Sequence, residues 1–163
     1  MPFSIRRPRI SEQGPLFAEV ERFFREDDWN VERLPTGAAL HMGFTGEHGS
    51  WRCIAAVSEE REQFVFYAVT ETKVPLEARA AAAEYLMRAS YGLSVGNFEM
   101  DFEDGEVRFK TSIDVEGGEL TQGMIRNLVY GNCATTDRYL HGLMKVVYGG
   151  AQPAVAVREA EAA

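Results

Sequence analysis

The stretch from Asn97 to Asp114, NFEMDFEDGEVRFKTSID, decides the fold. Phe98, Met100 and Phe102 fall on one parity, and Glu99, Asp101 and Glu103 on the other. Past Asp104-Gly105 the alternation resumes, with Val107, Phe109, Thr111 and Ile113 set against Arg108, Lys110 and Ser112. A period of two marks strands with one wet face. Asp-Gly between two such runs is a strong hairpin signal. A two-residue turn at Asp104-Gly105 predicts a register by counting outward. Phe102 would face Val107, Asp101 would face Arg108, Met100 would face Phe109 and Glu99 would face Lys110. Each acid at Glu99 and Asp101 would then oppose a base, which holds register and solvates the outer face. A catalytic carboxylate pair instead needs two acids whose surroundings drive their pKa values apart. The charged face therefore reads as solvent- or partner-facing surface.

Working outward, "VPLEARAAAAEYLMRASYG" predicts a helix opened by Pro75 and stopped near Gly92. Its run Ala80–Ala83 favours helix and allows close approach of a neighbour. One alanine face can meet the sheet, and the other can meet a symmetry mate. Before it, "ALHMGFT" and "SWRCIAAV" place Leu40, Met42 and Phe44 against Trp51, Cys53, Ala55 and Val57. A turn over Gly46–Gly49 pairs Phe44 with Trp51 and Met42 with Cys53. "QFVFYAV" is apolar on both parities and predicts a strand buried on both faces. "GPLFAEVERFFREDDW" predicts a first helix with Pro15 at its start and a stripe of Leu16, Val20, Phe23 and Phe24, widened by Phe17. "NVERLPTGA" breaks the pattern. A last helix spans about Leu120 to Tyr148, with Gly131 and Gly142 as points of kink or break. The expected fold is α+β: a five-stranded antiparallel sheet in the order α-β-β-β-α-β-β-α, with helices on one face. Residues 1–13 read as a flexible basic arm, 14–150 as a single domain and 151–163 as a flexible tail.

With 163 residues, one domain is expected. The net charge of −8 argues against nucleic acid, whose phosphates require a basic field. Arg6, Arg7 and Arg9 are the local exception. No apolar run reaches the ~20 residues of a membrane helix, and no secretion signal is inferred. Two cysteines suit a reducing cytoplasm better than a disulfide scaffold.

Two clusters are the candidates for chemistry. His41, His48 and Cys53 were weighed as metal ligands, but the hairpin register turns His41 away from Cys53 and leaves His48 in the turn, so no metal is expected. Cys133, Asp137 and His141 lie at i, i+4 and i+8 of the last helix. Eight residues rise ~12 Å, too far for a Cys–His pair. No Walker loop, GxGxxG, GxSxG or CxxC is present, so no catalytic residue and no cofactor is assigned. Asn132, Thr135 and Thr136 make "YGNCATTDRY" polar for a helix face. They form either a satisfied seam or a small pocket.

Three phrases together, "GSWRCIAAVSEE", the run from Val74 to Asp114, and "NCATTDRYLHGLMKVVYGG", resemble the YbjN family over about residues 14–150. The most specific part is the Val-Pro helix start, Gly96, Phe98-Glu99, Asp101 and the Asp104-Gly105 turn. Family members often carry Asn where this sequence has Ser90. The resemblance implies a regulator of bacterial sensory transduction with a fold like the type III secretion chaperones. Those chaperones are small, acidic homodimers that bind non-globular segments of other proteins.

Three functions are open to such a chain. The expected one is a non-catalytic cytoplasmic protein-binding module, chaperone-like or regulatory, acting as a homodimer. Ala82, Ala83, Glu99, Asp101, Arg108 and Lys110 are its candidate surface. The alternative is a small-ligand sensor with a pocket between the last helix and the sheet, lined by Asn132, Thr135 and Thr136. An enzyme using the carboxylates or Cys133 ranks last.

Overall fold

The computed structural model describes residues 13–35 and 37–163, so the arginines of the basic arm lie outside the described residues. Helix α1, Pro15–Glu26, buries Phe17, Val20, Phe23 and Phe24. Its own Gly14 offers no side-chain cap. Glu59 supplies one from the far end of the sheet: its carboxylate accepts from the Leu16 N–H at 3.2 Å and the Phe17 N–H at 2.8 Å. Those donors are among the orphans of any helix start, where negative charge is favoured.

Strands β1 (Val31–Arg33), β2 (Ala39–Thr45), β3 (Ser50–Ser58) and β4 (Gln63–Thr70) form a meander. A 3-10 turn, Leu76–Ala78, leads into α2, Arg79–Ser90. Then come β5 (Asn97–Met100), β6 (Val107–Asp114), α3 (Gln122–Gly149) and α4 (Pro153–Ala162). The sheet is antiparallel throughout, with order β1-β2-β3-β4-β6-β5.

The β2–β3 register agrees with the count from the Gly46–Gly49 turn: Phe44 faces Trp51 and Met42 faces Cys53. The α+β class and the antiparallel sheet stand, but the expected five strands and element order need correction. Among the described residues there are six strands, because Val31–Arg33 pairs with Leu40–Met42 at the sheet edge. Three residues are too few for a period to register. The expected tail is also a helix. In α4, Ala156, Val157 and Ala160 are buried against α2 and α3. These small side chains give a weak amphipathic signal that only docking reveals.

The Asn97–Asp114 hairpin forms, but its register differs by two residues. Met100 faces Val107, Phe98 faces Phe109 and Glu99 faces Arg108. Phe102 therefore does not oppose Val107; it lies 58% exposed in the turn. The cause is a wider loop. The Asp101 N–H donates to Glu106 O at 2.9 Å, and the Gly105 N–H donates to Asp101 O at 2.8 Å. The Asp101 carboxylate holds the Glu103 N–H at 2.8 Å. Gly105 has φ +80, and a Cβ there would sit 2.1 Å from Val74 O, so only glycine fits. A shift of two preserves both faces, which is why the alternation still identified inside and outside.

The helices share one face of the sheet. One half of the core joins α1 and the first part of α3 to Leu40, Met42, Trp51, Cys53, Phe64 and Phe66. The other joins α2, α4 and the end of α3 to Val107, Phe98 and Met100. Helix α3 runs through Gly131 and Gly142 without a break. Gly142 is a seat for Tyr85, whose hydroxyl donates to Tyr139 O at 2.8 Å.

Candidate functional site

Asn132 sits on the sheet-facing side of α3. Its amide N–H groups donate to Phe66 O at 3.0 Å, Phe109 O at 3.1 Å and Thr111 Oγ1 at 3.3 Å. Thr136 Oγ1 donates to Asn132 Oδ1 at 3.4 Å, and Thr111 Oγ1 donates to Leu128 O at 3.0 Å. Asn132 and Thr136 are buried, while Thr135 is half-buried on the neighbouring side of the helix. Asn132, with Thr136 bonded to it, thus bolts α3 to β4 and β6. Buried polar groups satisfied in this way specify a packing arrangement.

Glu99, Arg108 and Lys110 meet on the outer face of the sheet. The Glu99 carboxylate accepts from Arg108 Nε at 2.6 Å and from Lys110 Nζ. The Arg108 guanidinium also lies 4.5 Å from the centre of the Tyr67 ring, a cation–π contact. Partial burial pushes the Glu99 carboxyl up, but the Lys110 and Arg108 hydrogen bonds and charges outweigh it, so Glu99 titrates below the ordinary carboxylate range. Burial raises the Tyr67 hydroxyl, with Arg108 opposing. Beside these groups, Ile54, Val65, Tyr67 and Val69 pack together on the same face. Asp101 does not join them: it belongs to the turn and is exposed.

The alanine run divides. Ala82 is fully buried inside the chain with Tyr85, Leu86 and Ala89, so it offers no surface. Ala83 is half-buried and Ala80 exposed on the outer side of α2. That side continues with large apolar groups: Leu76 is 75% exposed, Met87 74% and Tyr91 90%. Positions 80, 83 and 87 advance by three and four along α2, with Leu76 in the 3-10 turn just before the helix and Tyr91 just after its last residue. A groove of about 300 Å³ lined by Met87, Arg88, Ser90 and Tyr91 lies at the Tyr91 end. The Arg88–Glu84 pair, 2.8 Å apart, borders these groups. At the other end, Arg79 Nη1 donates to Phe102 O at 2.7 Å, tying the exposed Phe102 loop to α2. In the sequence the alanine run masks these exposed groups, although the spacing of Leu76, Met87 and Tyr91 stands there to be counted.

The thiols of Cys53 and Cys133 are buried neighbours in the core. Contact with Cys133 and burial push the Cys53 thiol far up, so it is not poised as a nucleophile. His41 projects from β2 away from Cys53, as the register requires. His48 is different. The Gly46–Gly49 turn rests on α3, where Asp137 accepts from the Glu47 N–H at 3.1 Å and the His48 N–H at 2.8 Å. Leaving His48 alone in its turn overlooked a helix 89 positions further along the chain. Together these residues border a cavity of about 480 Å³ between α3, α4 and the turn. Among the described residues, no helix is long and apolar enough to cross a membrane.

A crystal structure of YbjN from E. coli, described as a putative transcription regulator, superposes with a TM-score of 0.56 at 12% identity, covering 82% of this chain and 89% of that one. The HopA1-SchA chaperone-effector complex contains a chain matched with a TM-score of 0.45 at 15% identity, over 73% of this chain and 89% of the other. No curated protein sequence matches. Ser90 Oγ accepts from the Phe98 N–H at 3.0 Å and so anchors β5 to the end of α2. The profile of the YbjN family, described as "Putative bacterial sensory transduction regulator", matches residues 17–143, and with more than half its length matched the chain belongs to that family.

Proposed function

We propose that this protein is a non-catalytic regulatory module of the cytoplasm that works by binding protein, first of all a second copy of itself. The observation that carries this reading is the exposed apolar set of Ala80, Ala83 and Met87 on α2, with Leu76 and Tyr91 at its two ends. Large apolar side chains at helical spacing, left in water, favour association. A two-fold axis across α2 would use the same face on both copies, which is how most homo-oligomers close. The small Ala80 and Ala83 let the two backbones approach, and Met87 fills irregular gaps. Glu84 and Arg88 then form the polar rim expected around an apolar centre. Ala83 belongs to this interface; Ala82, being internal, does not.

The charged cluster Glu99, Arg108 and Lys110 is a weaker candidate for self-association, because its charges are already paired within the sheet. With Ile54 and Tyr67 it suits a segment of another protein, apolar in the middle and polar at its edge. The free thiols of Cys53 and Cys133 support a reducing compartment, and the net charge of −8 speaks against nucleic acid as partner.

A photo-activatable residue in place of Met87 tests the interface. Cross-linked product mapping to Ala83–Tyr91 of a second chain supports the reading. Product mapping to β5 or β6, or no dimeric product, opposes it.

A further inference from the structure

The β2–β3 turn and α3 bring together four residues that neither the dimer interface nor the core uses. Glu47 and His48 come from the turn. Asp137 and His141 lie one helical turn apart on the same side of α3. One ligand atom from each of Glu47, His48 and Asp137 can be chosen so that all lie within 4.8 Å of one another. The rings of His48 and His141 are 6.0 Å apart, centre to centre, and tilted by 30°. All four residues border the cavity of about 480 Å³, so a site there has access to solvent.

The central distance is His48 Nδ1 to Asp137 Oδ2, 3.3 Å. That is long for a hydrogen bond to a carboxylate, which prefers about 2.7–2.9 Å. It does match the edge of a tetrahedral site: two ligand atoms each about 2.0–2.1 Å from a zinc-like ion lie about 3.3 Å apart. The site is also built in advance of any ion. The turn is closed by the Gly46 N–H donating to Gly49 O at 2.8 Å. Asp137 holds two backbone N–H groups: Oδ2 accepts from Glu47 and faces His48 Nδ1, while Oδ1 accepts from the His48 N–H and keeps a second lone pair. The close approach depends on glycine, since a Cβ on Gly46 would lie 2.3 Å from Asp137 Oδ1. Asp137 and His141 at i and i+4 repeat the spacing by which a helix presents two ligands to one metal.

We propose that Glu47, His48 and Asp137 form a binding site for a zinc-like divalent cation, with His141, whose ring centre lies 6.0 Å from that of His48, turning in as the fourth ligand. Two imidazoles and two carboxylates are the donor set that suits a borderline ion. Lys145, which also borders the cavity, is paired with Glu159 at 2.9 Å and so is not a competing free charge. Bound metal would pin the turn, and through it the β2–β3 hairpin, to α3.

The test uses the full, tag-free chain, stripped with chelator and titrated with zinc chloride alone in a calorimeter, with bound metal counted after dialysis. One zinc per chain is expected, with a higher Tm in its presence, as follows for a ligand of the folded state. His48→Ala and His141→Ala should each weaken binding about tenfold or more, in the range seen when support for a metal site is lost. His41→Ala, outside the cluster, should bind like wild type. Both cluster variants carry exposed side chains, and circular dichroism verifies that they fold. Absence of zinc above background, equal binding by the His48 and His141 variants, or equal loss in His41→Ala would each overturn the proposal. The outcome is independent of the dimer, because the four ligands come from one chain.

Discussion

The Tyr85 hydroxyl occupies the space that a side chain on Gly142 would need: a Cβ built there would lie 2.2 Å from Tyr85 Oη and 2.9 Å from Cζ. A glycine in mid-helix that looked like a break is a socket for α2. Gly142→Ala should therefore lower Tm. Overpacking costs ~1–3 kcal/mol, whereas the gain in helix propensity is at most ~1 kcal/mol. The double variant Gly142→Ala with Tyr85→Leu should recover part of the loss. Calorimetry on the three proteins decides it; a Gly142→Ala protein as stable as wild type would remove Tyr85 as the reason for the glycine.

Glu59 and α1 give a second prediction. Glu59→Ala removes both acceptors at the start of α1 and should cost about 1 kcal/mol, the usual worth of an N-cap. Urea unfolding measures it. Loss of amide protection at Leu16 and Phe17 would place the effect at the helix start rather than in the β3–β4 turn.

Asn132→Leu tests the seam. The substitution removes the side-chain donor to the Phe66 and Phe109 carbonyls and the Thr111 hydroxyl. A loss of about 2–4 kcal/mol in urea unfolding is expected, as for a buried polar network broken from one side. A neutral or stabilised variant would show that α3 holds its place through apolar packing alone.

Glu99 predicts a pH dependence. Its carboxyl sits below the ordinary range in the folded chain because the Lys110 and Arg108 hydrogen bonds overcome the upward push of burial. A depressed acid contributes stability above its unfolded pKa, about 4.3, and loses it as pH falls through the folded value. Wild-type stability should thus fall on acidification from about pH 5 downward, and Glu99→Gln should flatten that part of the curve. Identical pH slopes for both proteins, followed by chemical unfolding, would contradict the pairing.

Much of the fold was written in short-range pattern. Alternation across Asn97–Asp114 named both faces of the hairpin, and two glycines bounded the β2–β3 turn. Register at the hairpin tip was not legible, because it depends on Asp101 folding onto its own loop and on Gly105 pressing against Val74. Strand β1 and helix α4 were missed for one reason: three residues, or a few alanines and valines, carry little periodic signal until a neighbour buries them. The surface was half legible. The spacing of Leu76, Met87 and Tyr91 stood in the sequence, while the burial of Ala82 depends on the elements that pack around α2. The meeting of His48 with Asp137 could not be read at all, since nothing local joins a turn to a helix 89 residues away.

The central claim is that the outer face of α2 is an interface between two copies of the chain. Sedimentation equilibrium at micromolar concentration, on wild type, Met87→Glu and Ala82→Glu, tests it most directly. The account predicts a wild type of twice the chain mass, a folded monomer for Met87→Glu, and an unfolded or strongly destabilised Ala82→Glu, because one position faces a partner and the other faces the core. A monomeric wild type, or a Met87→Glu protein that remains a dimer, would contradict it.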